Sequence, residues 1–381
     1  MRNKLLSFAI LSALLFLSCV DKEKHEVGYV VTIGKETSVN LSDFTTGIQI
    51  VKLENSDSSV LSYIQKIEIE DSLLYVMDDI FKGISIYSLE GKLTKKFTKV
   101  GKGPGEYLSI NDFIVDQNNN RLEVFDRQLM RIYVYRLDNF DFVKKIDIPL
   151  SFCYKFAKKD NIYYFQTNEA RNFLSDGKST NSEVIAFDSN SGKITALFDR
   201  QKAESENQHW EFFEIFCVDK ISQKIYISLA WDKYHYKLEN DKAIPVFQID
   251  AETRGISGRM YAGNYDERMA YINNSGIMNK AHFFKLIMNN YIGMIIDYGI
   301  GFPPKDCYYF NLKKTNQIFY TNNIINDYLP YPIENTPIFK VDNGVLVSVF
   351  YPFMDNVDAS LYSYLDINDN DNPIIFLFKL N

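Results

Sequence analysis

Short runs in which apolar and polar residues alternate recur along this chain, and a period of two is typical of half-buried β-strands. Residues 67–101 have the sequence IEIEDSLLYVMDDIFKGISIYSLEGKLTKKFTKVG, and residues 113–149 have the sequence FIVDQNNNRLEVFDRQLMRIYVYRLDNFDFVKKIDIP. Both segments contain four such strands, and their second strands end at Asp78 and Asp126, about 48 residues apart. Four short antiparallel strands repeated at this period predict the blades of a β-propeller.

The rest of the chain continues the repeat in a less regular form. Further four-stranded units are predicted over residues 154–199, 211–250 and 282–326. The last unit supplies only three strands, and the segment GIQIVKLE at residues 47–54 is predicted to provide the fourth. We therefore expect an all-β, six-bladed propeller of four-stranded antiparallel blades. Pairing of residues 48–53 with residues 374–380 would close the ring and leave no unpaired edge between its first and last blades.

The domain boundaries follow from this repeat. One propeller domain is predicted over residues 41–381, after a polar tether over residues 20–40 and a targeting segment over residues 1–19. Residues 251–281 lack the alternation, so they are predicted to be an insertion between the fourth and fifth blades.

The targeting segment begins with Arg2 and Lys4, continues with an apolar stretch too short to span a bilayer comfortably, and ends in LFLSC. A small residue before Cys19 at this point resembles a bacterial lipobox, which implies cleavage before Cys19 and lipid attachment to it. The lipid would hold the domain at a membrane surface in the cell envelope, with the outer membrane as the expected location. An ordinary secretory signal with a chance cysteine is the alternative.

The densest glycine cluster, KVGKGPGEY at residues 99–107, poses a choice between a phosphate-binding loop and a turn. A P-loop needs Lys followed by Ser or Thr and then a helix, whereas Glu106 and Tyr107 follow Gly105 here. The carboxylate of Glu106 would also repel a phosphate. Because the stretch lies between two predicted blades, we expect it to be a sharp turn.

Composition narrows the classes of partner. The net charge of −7 argues against general binding to nucleic acid or to anionic lipid. The lipid attached at Cys19 is therefore the expected membrane contact. Aromatic residues make up 15% of the chain, which favours strands. Cys153, Cys217 and Cys307 lie in apolar sequence surroundings and are expected to be buried free thiols.

No metal and no cofactor are predicted. The acidic stretch DINDNDN at residues 366–372 lacks the glycine and glutamate of a calcium-binding loop, so a polar hairpin is preferred. The stretch HWEFFE at residues 209–214 offers His209, Glu211 and Glu214 as possible metal ligands. Its strand-like alternation would bring these side chains together only in part, so a metal site is not predicted.

Antiparallel geometry selects the candidate ligand contacts. Within a blade, the start of the first strand, the loop between the second and third strands and the end of the fourth strand lie on one face. The candidates on that face are Asp78, Asp126, Arg127, Arg171, Trp210, Trp231 and Tyr234. Aromatic rings beside charged groups suit a glycan. The alternative is structural, because an aspartate after a strand commonly caps a turn and a ring at a blade edge commonly packs on the next blade.

The motif GKGPGEY, the blade pattern LYVMD…ISIYSLEGKLTKKF and the closing DNDNPIIFLFKLN resemble the six-bladed β-propeller lipoproteins of Gram-negative bacteria, which share their architecture with NHL-repeat propellers. The resemblance spans nearly the whole mature chain. It implies an envelope lipoprotein with a binding role, and it provides no catalytic residues to transfer.

Three functions remain open, and the first is expected. It is a non-catalytic module that binds a glycan, a peptide or a partner protein. The second is a carbohydrate-active hydrolase or lyase, or a metal-dependent esterase, that would use a carboxylate pair such as Asp78 and Asp79 with Arg127 and Arg171. The third is an interaction module that uses the outer blade edges. The absence of G-x-S-x-G or another specific catalytic motif in the sequence favours binding over catalysis.

Overall fold

The computed structural model describes Val30, Val31 and most of residues 38–381. Omitted within that range are residues 58, 79, 169, 199–213, 230–233, 240–241, 250–281, 289–291, 300–305, 313, 315–316, 334–335, 343 and 353–358. Cys19, Trp210, Trp231 and the predicted insertion at 251–281 therefore lie outside the described residues.

The N-terminal part of the described chain supplies strands to three different sheets. It contains β1 (Val30–Val31), β2 (Ser38–Asn40), a 3₁₀ helix (Leu41–Asp43) and β3 (Thr45–Lys52). β1 and β2 lie within the segment predicted as a tether, and their pairing partners come from the second half of the chain.

The next strands form two four-stranded antiparallel sheets in which sequential strands pair. The first sheet contains β4 (Ile64–Glu70), β5 (Leu73–Asp78), β6 (Ile84–Ser88) and β7 (Leu93–Phe97). The second sheet contains β8 (Asp112–Asp116), β9 (Arg121–Asp126), β10 (Arg131–Arg136) and β11 (Phe142–Asp147). A two-residue turn, Asp71 and Ser72, joins β4 to β5 with both φ angles positive, as in the tight turns that match strand twist.

The third and fourth sheets continue this arrangement. Between residues 155 and 196 lie β12 (Lys155–Lys159), β13 (Ile162–Gln166), the hairpin of β14 (Asn172–Phe173) and β15 (Ser179–Thr180), β16 (Val184–Asp188) and β17 (Ile194–Ala196). The third sheet has the order β12-β13-β16-β17. The fourth sheet contains β18 (Phe216–Asp219), β19 (Lys224–Ser228), β20 (Tyr234–Glu239) and β21 (Lys242–Ile249). β1 adds to β21 in parallel, so this sheet has five strands where four were predicted.

The last two sheets complete the described strands. The fifth sheet contains β22 (His282–Met288), β23 (Ile292–Gly299), β24 (Asp306–Leu312) and β25 (Gln317–Thr321), and β26 (Asn323–Ile325) pairs in parallel with β2. The sixth sheet contains β27 (Lys340–Asp342), β28 (Val345–Phe350), β29 (Ile374–Leu380) and β3. A helix, α1 (Ala359–Leu365), lies between β28 and β29 in the chain. No helix in the described part of the chain has the length and apolar character needed to cross a bilayer.

The predicted pairing between the beginning and the end of the domain is present. β3 runs antiparallel to β29, with Lys52 opposite Ile374, Ile50 opposite Phe376 and Ile48 opposite Phe378. β29 is thereby an inner strand of the sixth sheet, between β28 and β3.

The core lies between consecutive sheets. Tyr75 and Ile86 of the first sheet pack with Phe113 and Tyr135 of the second in one buried cluster. Other clusters join the second sheet to the third, the third to the fourth, and the sixth to the first. Burial of facing apolar surfaces between neighbouring sheets stabilises a β-propeller, and this is the fold of the protein.

One edge strand of each sheet contacts the corresponding strand of the next sheet. Contacts join β4 to β8, β8 to β12, β12 to β18, β18 to β22, and β22 to β27. β27 returns to β4, because Lys340 Nζ donates to the carbonyl oxygen of Ile67 at 3.0 Å and Ile69 N donates to Asp342 Oδ2 at 3.3 Å. These six strands are called the innermost strands below.

The glycine cluster forms a turn between β7 and β8, as predicted. Gly101 N donates to the carbonyl oxygen of Tyr107 at 3.0 Å, and Tyr107 N donates to that of Lys99 at 2.9 Å. Glu106 Oε2 accepts a hydrogen bond from Gly103 N at 2.7 Å, so a carboxylate occupies the side of the turn where a phosphate-binding loop would need a free amide. Gly105 has a φ of +75°, and a Cβ there would lie 2.5 Å from the Phe142 ring, so this position requires glycine.

Candidate functional site

The aspartates predicted as ligand contacts lie in buried turns. Asp78 accepts hydrogen bonds from Ser62 N at 3.0 Å and Phe81 N at 2.8 Å. Asp126, which is fully buried, accepts from Leu108 N at 2.7 Å and Leu129 N at 3.1 Å. Each carboxylate connects the segment before the first strand of its sheet to the loop after its own strand, which agrees with the capping alternative.

The other described candidates lie beside aromatic rings. The Arg127 guanidinium lies over the rings of Tyr154 and Phe152, at 5.4 and 5.8 Å from their centroids. Arg171 is exposed and lies 5.7 Å from the ring centroid of Phe173. Tyr234 is partly buried, with its ring 6.4 Å from that of Tyr236. Arg127 thereby contacts Tyr154, which lines the cavity described next.

A cavity of about 620 Å³ lies between the innermost strands, and we call it the channel cavity. Its described lining comes from β4, β8, β12, β18 and β27 and from residues just before or after these strands. Lysines, carboxylates and amides make up more than half of the lining residues, and Val218 is one of the apolar ones. The volume and the polar lining are those of a site for a small polar ligand.

One cluster of charges joins sheets that are distant in sequence. Lys220, in the turn between β18 and β19, lies 2.6 Å from Glu68 Oε2 and 3.4 Å from Asp342 Oδ2, and it also pairs with Glu70 Oε1. Lys340 Nζ lies 3.0 Å from Asp342 Oδ2 and 3.5 Å from Glu68 Oε2. The cluster therefore connects the fourth sheet with the first and the sixth.

A second cluster surrounds Lys66. Its Nζ lies 2.7 Å from Asp112 Oδ1, 3.7 Å from Glu68 Oε1 and 4.0 Å from Glu214 Oε1. Asp112 is fully buried, and its other oxygen accepts a hydrogen bond from Phe156 N at 3.1 Å. One carboxylate thus links the first, second and third sheets.

These neighbours set the protonation of the clusters. Burial disfavours the charge of Glu68, but the ammonium groups of Lys220, Lys340 and Lys66 hold its pKa well below the ordinary value. Burial also disfavours the charges of Lys66 and Lys220, but the carboxylates around them raise the pKa of each. Burial raises the pKa of Glu70 above its ordinary value, against the effect of Lys220.

The sequence carried a signal for this site that our prediction did not use. Lys66, Glu68 and Glu70 alternate with Ile67 and Ile69 in β4, so three charged side chains lie on one face of an innermost strand. Charged residues at every second position of the first strand of a sheet therefore indicate the face of that strand that lines the channel cavity.

The described part of the chain contains no group of three or more His, Cys, Asp or Glu side chains placed to hold a metal ion. Cys153 is a buried free thiol, as predicted, and burial raises the pKa of this thiol. Cys217 is only partly buried and contributes to the lining of the channel cavity.

Solved structures with a similar fold come from Bacteroides. A "putative exported protein" of Bacteroides fragilis NCTC 9343 superposes with a TM-score of 0.65 at 14% identity, over 92% of this chain and 99% of the other. A member of the DUF4221 family from Bacteroides vulgatus ATCC 8482 superposes with a TM-score of 0.55 at 9% identity, over 88% of this chain and 97% of the other. At these identities the similarity concerns the fold alone.

Comparison with curated proteins gave no match. Among protein families, the one described as "Domain of unknown function (DUF4934)" matches residues 22–379, which is nearly the whole chain after the targeting segment. The protein is therefore a member of the DUF4934 family with a β-propeller fold.

Proposed function

We propose that this protein is a lipid-anchored lipoprotein of the cell envelope whose propeller binds a ligand, without catalysis, in the channel cavity. The ligand classes are those expected from the sequence: a glycan, a peptide or a segment of a partner protein. The observation that carries the proposal is the 620 Å³ cavity with a polar and ion-paired lining. A cavity of this size with fixed charges and amides orients a polar ligand by hydrogen bonds.

We infer further that the sheets form one closed six-bladed ring around this cavity. The continuous series of contacts between innermost strands supports the ring, as does the return from β27 to β4. The pairing of β3 with β29 supports closure between the sixth and first blades, because the chain passes directly from β3 to β4.

The state of the carboxylates favours binding over hydrolysis. Glu68 and Glu70 share Lys220, and Asp342 is held by Lys220 and Lys340. Carboxylates held by lysines provide a rigid, charge-balanced surface, whereas a general acid and base must exchange protons with the substrate. Turnover of a bound glycan by the purified protein would contradict this part of the proposal.

Filling the channel is expected to abolish ligand binding. Val218 lines the cavity and is 41% exposed to it, so Val218→Trp places an indole in the ligand space. Ile221, 52% exposed in the adjacent turn and outside the cavity lining, gives the matched control Ile221→Trp. A glycan array and a pull-down from envelope extract measure binding. We expect Ile221→Trp to bind as the unchanged protein does and Val218→Trp to lose binding. Equal binding by both variants would place the ligand elsewhere.

The anchor has its own test. Lipid attachment at Cys19 should make the protein partition with membranes, and mass spectrometry of its N-terminal peptide should show an acylated cysteine. Cys19→Ala should release the protein into the soluble fraction. A mature N-terminus beyond residue 19, with no acyl group, would contradict the lipoprotein assignment.

A further inference from the structure

We propose that one mouth of the channel cavity, lined by Lys155 and Tyr154 with Arg127 beside the Tyr154 ring, recognises the carboxylate of an acidic sugar. This inference rests on the proposed function and specifies the ligand class at the same site.

Lys155 differs from the other described lysines of the cavity. Lys66, Lys158, Lys220 and Lys340 each have at least one carboxylate oxygen within 4.0 Å. Lys155 is only 7% exposed, yet its Nζ donates a single described hydrogen bond, to the carbonyl oxygen of Asn111 at 3.1 Å. Among the residues that the structure describes, none offers it a carboxylate within ion-pair distance.

A buried ammonium group without a counter-charge is unfavourable. Two of its three N–H donors have no described acceptor, and the side chain borders a cavity open to a ligand. An incoming carboxylate would provide both the missing charge and the missing acceptors. The ligand that this position selects is therefore anionic.

The neighbouring residue adds an apolar surface to this charge. The ring of Tyr154 lines the cavity, and its centroid lies 5.4 Å from Lys155 Nζ and 5.4 Å from the Arg127 guanidinium carbon. Asn111 contacts both residues, since its side-chain oxygen accepts from the backbone N of Arg127 at 3.0 Å while its carbonyl oxygen accepts from Lys155 Nζ. An aromatic side chain beside two cations fits a sugar that carries a carboxylate, because the aromatic ring contacts C–H groups while the cations bind the acid.

Calorimetry at low ionic strength tests the assignment with trigalacturonate and, as its neutral counterpart, galactotriose. We expect trigalacturonate to bind at least about tenfold more tightly, and added salt to weaken it. Lys155→Met should reduce trigalacturonate affinity by about ten- to a hundredfold, the loss expected when a charged hydrogen-bond partner is removed. Lys155→Arg should retain most of the affinity. Lys144→Met, at an exposed lysine of β11, is the control and should bind normally.

Thermal unfolding of each variant first establishes that it is folded. Equal affinity for the two sugars, unchanged binding by Lys155→Met, or no binding of trigalacturonate at millimolar concentration would each overturn the inference. Tighter binding of a Glu-Glu-Glu peptide than of trigalacturonate would overturn the assignment of a sugar ligand and would indicate that the mouth binds an acidic peptide. If Val218→Trp abolishes glycan binding while Lys155→Met does not, the channel function stands and the acidic specificity fails.

Discussion

Deletion of residues 374–381 is expected to leave the protein unable to fold. These residues contain β29, which pairs with β28 on one side and β3 on the other. Its buried side chains are Ile374, Ile375, Phe376, Leu377, Phe378 and Leu380. Burial of a large apolar side chain contributes about 1.5–3 kcal/mol, so their loss costs roughly 10 kcal/mol, which is comparable to the whole stability of a domain.

The deletion also removes the strand that joins the two ends of the domain. Without β29, β3 has no neighbour in the sixth sheet. Far-UV circular dichroism, thermal unfolding and limited proteolysis measure the outcome, with deletion of the exposed Asn381 alone as the control. We expect the control to unfold within a few degrees of the full chain. A cooperative transition at the normal temperature in the longer deletion would contradict closure of the ring by β3 and β29.

Asp112→Ala is expected to give the largest effect of any single substitution in the charged clusters. The carboxylate is fully buried and contacts Lys66 Nζ at 2.7 Å, Phe113 N at 2.8 Å and Phe156 N at 3.1 Å. Its removal leaves the ammonium of Lys66 without its nearest charge and leaves Phe156 N without its described acceptor. Breaking a buried pair in this way typically costs about 3–5 kcal/mol. Guanidinium denaturation measures the free energy of unfolding.

Three comparisons make this result specific. Asp112→Asn keeps hydrogen-bond acceptors and should lose less than the alanine variant. Lys66→Met combined with Asp112→Leu removes both charges and should recover part of the stability. Asp147→Ala breaks the exposed pair with Arg131, for which a loss of about 0–1 kcal/mol is expected. Equal losses of unfolding free energy in Asp112→Ala and Asp147→Ala would show that the buried link between the first three sheets contributes no more stability than an exposed ion pair.

Hydrophobic periodicity predicted the strands because it is a local property. Within one sheet, strands such as β4 and β5 are joined by a two-residue turn, so their pairing follows from neighbouring residues. The same reasoning found the turn at Gly105. It also found the pairing of β3 with β29, because a last unit with three strands requires a fourth.

The candidate site could be predicted only in part. The rule that predicted Asp78 and Asp126 on one face concerns the backbone only, and it does not specify which groups the carboxylates bind. Both accept backbone N–H groups in buried turns. Because both side chains are buried, a ligand has little access to them.

The sequence by itself determined the all-β architecture, the boundaries of most strands and the joining of the two ends of the domain, since alternation and turn chemistry act over a few residues. Tertiary structure decided which charges meet. Lys220 reaches Glu70 across a separation of 150 residues, and Lys155 reaches the carbonyl oxygen of Asn111 across 44 residues. The physical reason is that these contacts connect different sheets, and no local pattern specifies how whole sheets are arranged relative to one another.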